Sequence, residues 1–245
     1  MGVARSPEEV TAVSSGEIES QCLMLIRERL EKGGRKYQIL DLGPPNQSII
    51  EYFSDFPCSL QVVDLQRRVE AEGVELGADC HTLAMTRDDF ARMLPSEITA
   101  PIDIVLGWDY FNYLNRDSII CLMAYLSQFF KKGSFLYFIT ATNKQMPDIP
   151  MHFELGRGDR IRYKAELSYL RPSPQYAPRV LEDMMPSFSI RRLSLLASGF
   201  QEHIFTFEKH RDPPKLNVIT ESSLIDTSLR YRVKGTPQSV NAGGS

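Results

Sequence analysis

Apolar residues along the chain alternate between short continuous runs and longer stretches in which they recur every three or four positions. Ser14-Ser15-Gly16-Glu17 has capping-box spacing, and Ile18, Cys22, Leu25, Ile26 and Leu30 then share one face, which predicts a helix from Ser14 to the stop at Lys32-Gly33-Gly34. Tyr37 to Gly43 is a short, mostly apolar run ending in an acid and a glycine, the mark of a buried strand entering a turn. A helix follows over Asn46 to Phe56, then a second strand at Leu60 to Asp64. Leu83-Ala84-Met85 is a third strand candidate and Asp88 to Met93 a helix. Ile102 to Gly107 reads as another buried strand, and Ser134 to Thr140 as the next. Between them, Ile119, Ile120, Met123, Leu126, Phe129 and Phe130 place a helix over Arg116 to Lys131, stopped by Lys131-Lys132-Gly133. A further helix is expected near Arg191 to Ala197, and Glu202 to Glu208 alternates like an antiparallel strand. Strands alternating with helices of this length imply a doubly wound α/β fold with a mostly parallel sheet and helices on both faces.

The rhythm breaks over residues 141–180, where five prolines and the aromatics Phe153, Tyr163, Tyr169 and Tyr176 suggest an insertion acting as a lid or binding loop. The expected organisation is a mobile arm at 1–14, one domain over 15–208 containing that insertion, and a flexible polar tail at 209–245. Composition narrows the partners. With 28 Lys plus Arg against 31 Asp plus Glu, the net charge of −3 gives no reason to expect nucleic acid. No apolar run is long enough to span a bilayer, and the scattered Cys22, Cys58, Cys80 and Cys121 look like reduced thiols, so a cytoplasmic, non-membrane protein is expected. The Met1-Gly2 start fits a loose myristoylation pattern that matches often by chance.

In open α/β sheets ligands bind beyond the carboxyl ends of the strands, which singles out Asp41, Gly43, Asp64, Met85, Gly107, Trp108 and Asp109. Asp41-Leu42-Gly43 at the end of the first strand, Asp64 at the end of the second, and Ile102-Asp103-Ile104-Val105-Leu106-Gly107-Trp108-Asp109 along the fourth resemble the class I S-adenosylmethionine-dependent methyltransferases. Leu193 to Phe207, with Gly199-Phe200 before a strand, resembles that family's closing helix and hairpin. The resemblance, over residues 17–208, implies a Rossmann-like methyltransferase fold with a seven-stranded sheet, its last strand antiparallel. It also implies S-adenosylmethionine as cofactor, bound by Asp41, Gly43, Asn46, Asp64, Met85, Gly107, Trp108 and Asp109. Asp64 would accept hydrogen bonds from the ribose hydroxyls, Asp41 would lie near the charged methionine end, and Gly43 would admit close backbone approach. Trp108 would wall the adenine or the substrate, and Asp109 or a tyrosine of the insertion would serve as base.

Each assignment has a plainer counterpart: strand-end acids also cap the next helix, and Trp108, Tyr110, Phe111 and Tyr113 also suit a packed core. His152 and His203 are base candidates by residue type alone. The family's glycine-rich turn is altered here, since Gly43 is followed by Pro44, Pro45, Asn46 and Gln47. Proline lacks a backbone N–H and fixes φ, so the cofactor is held by fewer backbone contacts or the pocket is altered or closed. Metal-ligand spacing, a Gly-x-Ser-x-Gly elbow and a phosphate-binding glycine loop are all missing from the sequence. Two readings of function follow. One is methyl transfer to an unidentified small-molecule or protein acceptor; the other is a non-catalytic scaffold that binds a protein through 141–180 or the tail.

Overall fold

The computed structural model describes residues 13–74, 82–94, 98, 101–196, 199–209, 211–212 and 214. The arm through residue 12, Cys80 and the tail beyond 214 lie outside them. In chain order the elements are β1 (Val13–Glu19), α1 (Gln21–Lys32), β2 (Tyr37–Asp41), α2 (Gln47–Ser54), β3 (Cys58–Val62), α3 (Leu65–Glu72), α4 (Arg87–Met93), β4 (Ile102–Leu106), α5 (Arg116–Leu126) and β5 (Phe130–Ala141). They continue through β6 (Gln145–Pro147), β7 (His152–Gly156), β8 (Arg160–Glu166), β9 (Leu170–Pro172), α6 (Pro178–Met184), β10 (Phe188–Leu195) and β11 (Phe200–Phe207).

The central sheet has the order β10-β11-β5-β4-β2-β3. β3, β2, β4 and β5 pair in parallel, and β11 runs antiparallel to both β5 and β10, as expected for the last strand. Every residue of β4 is buried, which is why it reads as an unbroken apolar run apart from Asp103. Asp103 lies at the amino end of β4, where it accepts from the Gln38 N–H and pairs with Arg35 and Lys131. Strand order reverses between β2 and β4, so the crevice of an open α/β sheet falls at their carboxyl ends.

Several sequence expectations are corrected. The sheet has six strands among the described residues, because Leu83 makes a single bridge to Leu114 and the chain turns straight into the Thr86–Asp89 capping box of α4. Ser14 to Glu19 is strand β1: its in–out alternation pairs residue for residue with β8, and the capping residue of α1 is Ser20, whose Oγ accepts from the Leu23 N–H at 2.8 Å. Gly16 permits this pairing, since a Cβ there would lie 2.6 Å from the Tyr163 hydroxyl. The segment expected as a helix near Arg191 is strand β10, carried through a bulge between Ile190 and Arg192 and joined to β11 at Gly199, whose φ is +80°. Helix α5 ends at Leu126, a single turn of 3₁₀ helix follows, and Lys131 to Gly133 already belong to β5.

The 141–180 insertion is folded rather than looped. β7 and β8 join β1 in a three-stranded antiparallel sheet, and β6 pairs with β9 in a ribbon. Phe153, Leu155, Ile161 and Ala165 point from the three-stranded sheet into the core. Asp159, at the β7–β8 turn, takes Arg27 of α1 in a forked ion pair at 2.8–3.0 Å and the Tyr52 hydroxyl of α2 at 3.0 Å.

Candidate functional site

The turns after β2 and β4 meet at the crevice. The Leu42 N–H donates to the Leu106 carbonyl, and the Asp64 N–H to the Gly43 carbonyl, so the ends of β2, β3 and β4 lie side by side. Asp41 is 1% exposed, and its Oδ1 accepts from the Gly43 N–H at 2.9 Å and from the Trp108 indole N–H at 2.6 Å. Its Oδ2 is buried with no hydrogen-bond partner. Trp108 packs flat on Phe153 of β7, with ring centroids 5.3 Å apart at 16°, and edge-on to Tyr137. A Cβ at Gly43 would come within 2.8 Å of the indole, so only glycine lets the ring lie there.

Asp109, the next residue, is also buried. Its Oδ2 accepts from the Met151 N–H at 3.0 Å while Oδ1 lacks a partner. No Lys or Arg pairs with either acid among the described residues. Burial raises the Asp41 carboxyl to about 6 against the hydrogen bonds from Trp108 and Gly43. Burial raises Asp109 further, to about 7. Two buried acids without a cation partner among the described residues thus lie beyond the ends of β2 and β4, Asp41 against the Trp108 indole and Asp109 against the Met151 N–H.

The remaining sequence candidates divide. Asp64 is half-buried at the mouth of the crevice, left-handed at φ 52°, and its Oδ1 caps α3 through the Arg67 N–H at 3.3 Å. Its helix-capping role is therefore present. Asn46 caps α2 and also donates from Nδ2 to the Phe153 carbonyl and toward His152 Nε2, both at 3.0 Å. Gly107 sits between Phe111 and the Tyr137 carbonyl, which accepts its N–H. Met85 is buried and its N–H donates to Ser118 Oγ on α5. Phe111 stacks on Phe138, as the core reading of that segment expects. His203 is buried, stacked on Phe138 and hydrogen-bonded to Thr140, with its pKa lowered to about 3 by burial; it is a core residue.

Met151 and Phe153 of the insertion close the crevice, and Ser48 and Tyr113 tie the insertion down on either side; Phe153 and Tyr113 stand out in the sequence as aromatics. Ser48 Oγ accepts from the Leu155 N–H, and the Tyr113 hydroxyl donates to the carbonyls of Pro147 and Ile149. The space left among Pro44, Ile49, Trp108, Tyr110, Met151 and Phe153 is about 10 Å³, too small for more than one water. Replacing Asn46 by Ala removes both the α2 cap and a tie to β7, and is expected to destabilise the chain by about 1–2 kcal/mol in urea denaturation.

No family model matches the sequence, and no curated protein does. Solved structures do, at low identity. The chain is similar to S-adenosylmethionine-dependent methyltransferases. They include the glycopeptide N-methyltransferase MtfA complexed with S-adenosylmethionine, at 10% identity and TM-score 0.41, covering 76% of this chain and 92% of that one. A methyltransferase from Clostridium acetobutylicum matches at 11% identity and TM-score 0.43, covering 76% and 89%. The DhpI complex with S-adenosylhomocysteine matches at 12% and 0.43, covering 77% and 84%. No residue role is carried over from them.

Proposed function

We propose that this methyltransferase-like chain binds S-adenosylmethionine at the carboxyl ends of β2, β3 and β4 and transfers its methyl group to an acceptor. The observation that supports this most is the pair of buried acids, Asp41 and Asp109, each with an oxygen lacking a partner and neither paired with a cation among the described residues. Unsatisfied carboxylates of this kind are costly to keep and concentrate at functional sites. A ligand bearing an ammonium and a sulfonium group is the complement they lack. The polar groups suit that ligand, but the space does not admit it while the Trp108 ring stays in place.

When bound, the cofactor supplies an electrophilic methyl group. Asp41 would hold positive charge, Asp64 would accept from the ribose hydroxyls, and Asp109, poised near neutrality, would take the proton of the attacking group at Oδ1. The three free thiols among the described residues, Cys22, Cys58 and Cys121, suit a reducing compartment, and a cytoplasmic location is the reading they support. No helix among the described residues is long and apolar enough to cross a membrane.

A non-catalytic scaffold is the second reading, favoured by the filled crevice and by the exposed Ile149, Tyr169 and Leu170 of the insertion. Thermal shift separates the two. S-adenosylhomocysteine at a hundred times its dissociation constant is expected to stabilise the wild type by about 2.7 kcal/mol. Asp64→Asn, which keeps an αL-tolerant helix cap but removes the charge, should lose most of that gain. An unmoved wild-type melting curve at millimolar ligand favours the scaffold.

A further inference from the structure

Trp108 is the chain's only tryptophan and its backbone is left-handed, with φ 45°, a region that bulky residues rarely enter. The backbone is pinned there: the Gly107 N–H donates to the Tyr137 carbonyl, and the Trp108 carbonyl accepts from the Ile139 N–H. Strained residues held by their surroundings cluster at ligand sites and switches. The side chain makes contacts of the kind that hold a bound heteroaromatic ring. Its N–H donates to a buried carboxylate, its face stacks on Phe153, its edge is covered by Tyr137, and it lies over the bare backbone of Gly43.

We infer that the Trp108 indole is an internal occupant of the ligand slot, a tethered planar ring that an incoming heteroaromatic ligand must displace. This rests on, and deepens, the reading of the crevice as a cofactor site. The pinned backbone keeps the displacement local: rotation of one side chain frees a space the size of an indole ring, enough for the planar base of the ligand, while β4 and β5 stay paired. Asp41 Oδ1 is released at the same time and becomes available to the ligand.

The single tryptophan makes the inference directly observable. Titrating the wild type with S-adenosylhomocysteine is expected to shift the tryptophan emission to the red and to open it to acrylamide quenching in proportion to saturation. Calorimetry should show Trp108→Gly binding the same ligand at least ten-fold more tightly, and binding free indole, which the wild type ignores. Trp108→Phe keeps a ring but loses the N–H, and is expected to fall between. Should Trp108→Gly not fold, the wild-type titration and Trp108→Phe carry the test. Saturable binding to the wild type with unchanged emission, or no tightening in Trp108→Phe, overturns the occupant role and leaves the cofactor reading standing. Indole but not S-adenosylhomocysteine bound by Trp108→Gly upholds the slot and overturns the cofactor reading. A folded Trp108→Gly that takes up neither ligand overturns the occupant role outright.

Discussion

Asp159→Ala is expected to lower stability by about 2–3 kcal/mol and to loosen the insertion sheet from the rest of the domain. The carboxylate is nearly buried, with its side chain 8% exposed, and it ties the β7–β8 turn to two helices: it takes the Arg27 guanidinium from α1 and accepts from the Tyr52 hydroxyl of α2. Removing a partner from a fully buried ion pair costs roughly 3–5 kcal/mol. Arg27 is 35% exposed and keeps Glu31, so it rehydrates, and the expectation falls below that range. The φ of 58° at Asp159 adds to the loss, because alanine tolerates the left-handed region less well than aspartate. Urea denaturation measures the energy, and amide exchange in β7 and β8 should rise. A change under about 0.5 kcal/mol with unaltered exchange would mean that the β1–β8 pairing and the ties from Asn46 and Ser48 hold the insertion without Asp159.

Asp109→Asn should flatten the dependence of stability on pH. At low pH the carboxyl is neutral both folded and unfolded, and burial carries no charge penalty. As pH rises from the ordinary value of 3.8 through about 7, the unfolded chain ionises first and the folded chain must bury an unpaired carboxylate. Stability is therefore full below the first value and lost as pH passes the second. Asp41, raised to about 6, acts in the same direction. The combined penalty is on the order of a few kcal/mol. Asparagine is neutral throughout, and its carbonyl still accepts from the Met151 N–H. The variant should match the wild type near pH 4 and exceed it near pH 8 in melting temperature. Parallel profiles would show that Asp109 already has a compensating partner.

Where one interaction decides an element locally, the residues announce it. Asn46 caps α2, the unbroken apolar run of β4 lies at the centre of the sheet, and Asp41, Gly43 and Trp108 converge at the switch point. Where pairing is long-range, local spacing misleads. Ser14 to Glu17 has helix-start chemistry, yet β8, almost 150 residues on, claims it as a strand. The leucines near Arg191 fit helical spacing until β11 returns beside them. The acids of the crevice are visible as strand-end residues; its closure by Met151 and Phe153 is not, because it depends on the insertion folding back across α2, where Ser48 takes the Leu155 N–H. Trp108 lies over Gly43, beside the turn that carries Pro44 and Pro45.

Entry of a cationic nucleoside into that crevice decides whether the chain has a cofactor site. Calorimetric titration of S-adenosylmethionine into the full chain, at pH 8 where Asp41 and Asp109 are ionised, is expected to give one site with a micromolar dissociation constant, weakened near pH 5 as both acids protonate. No heat at millimolar ligand, at either pH, would contradict it.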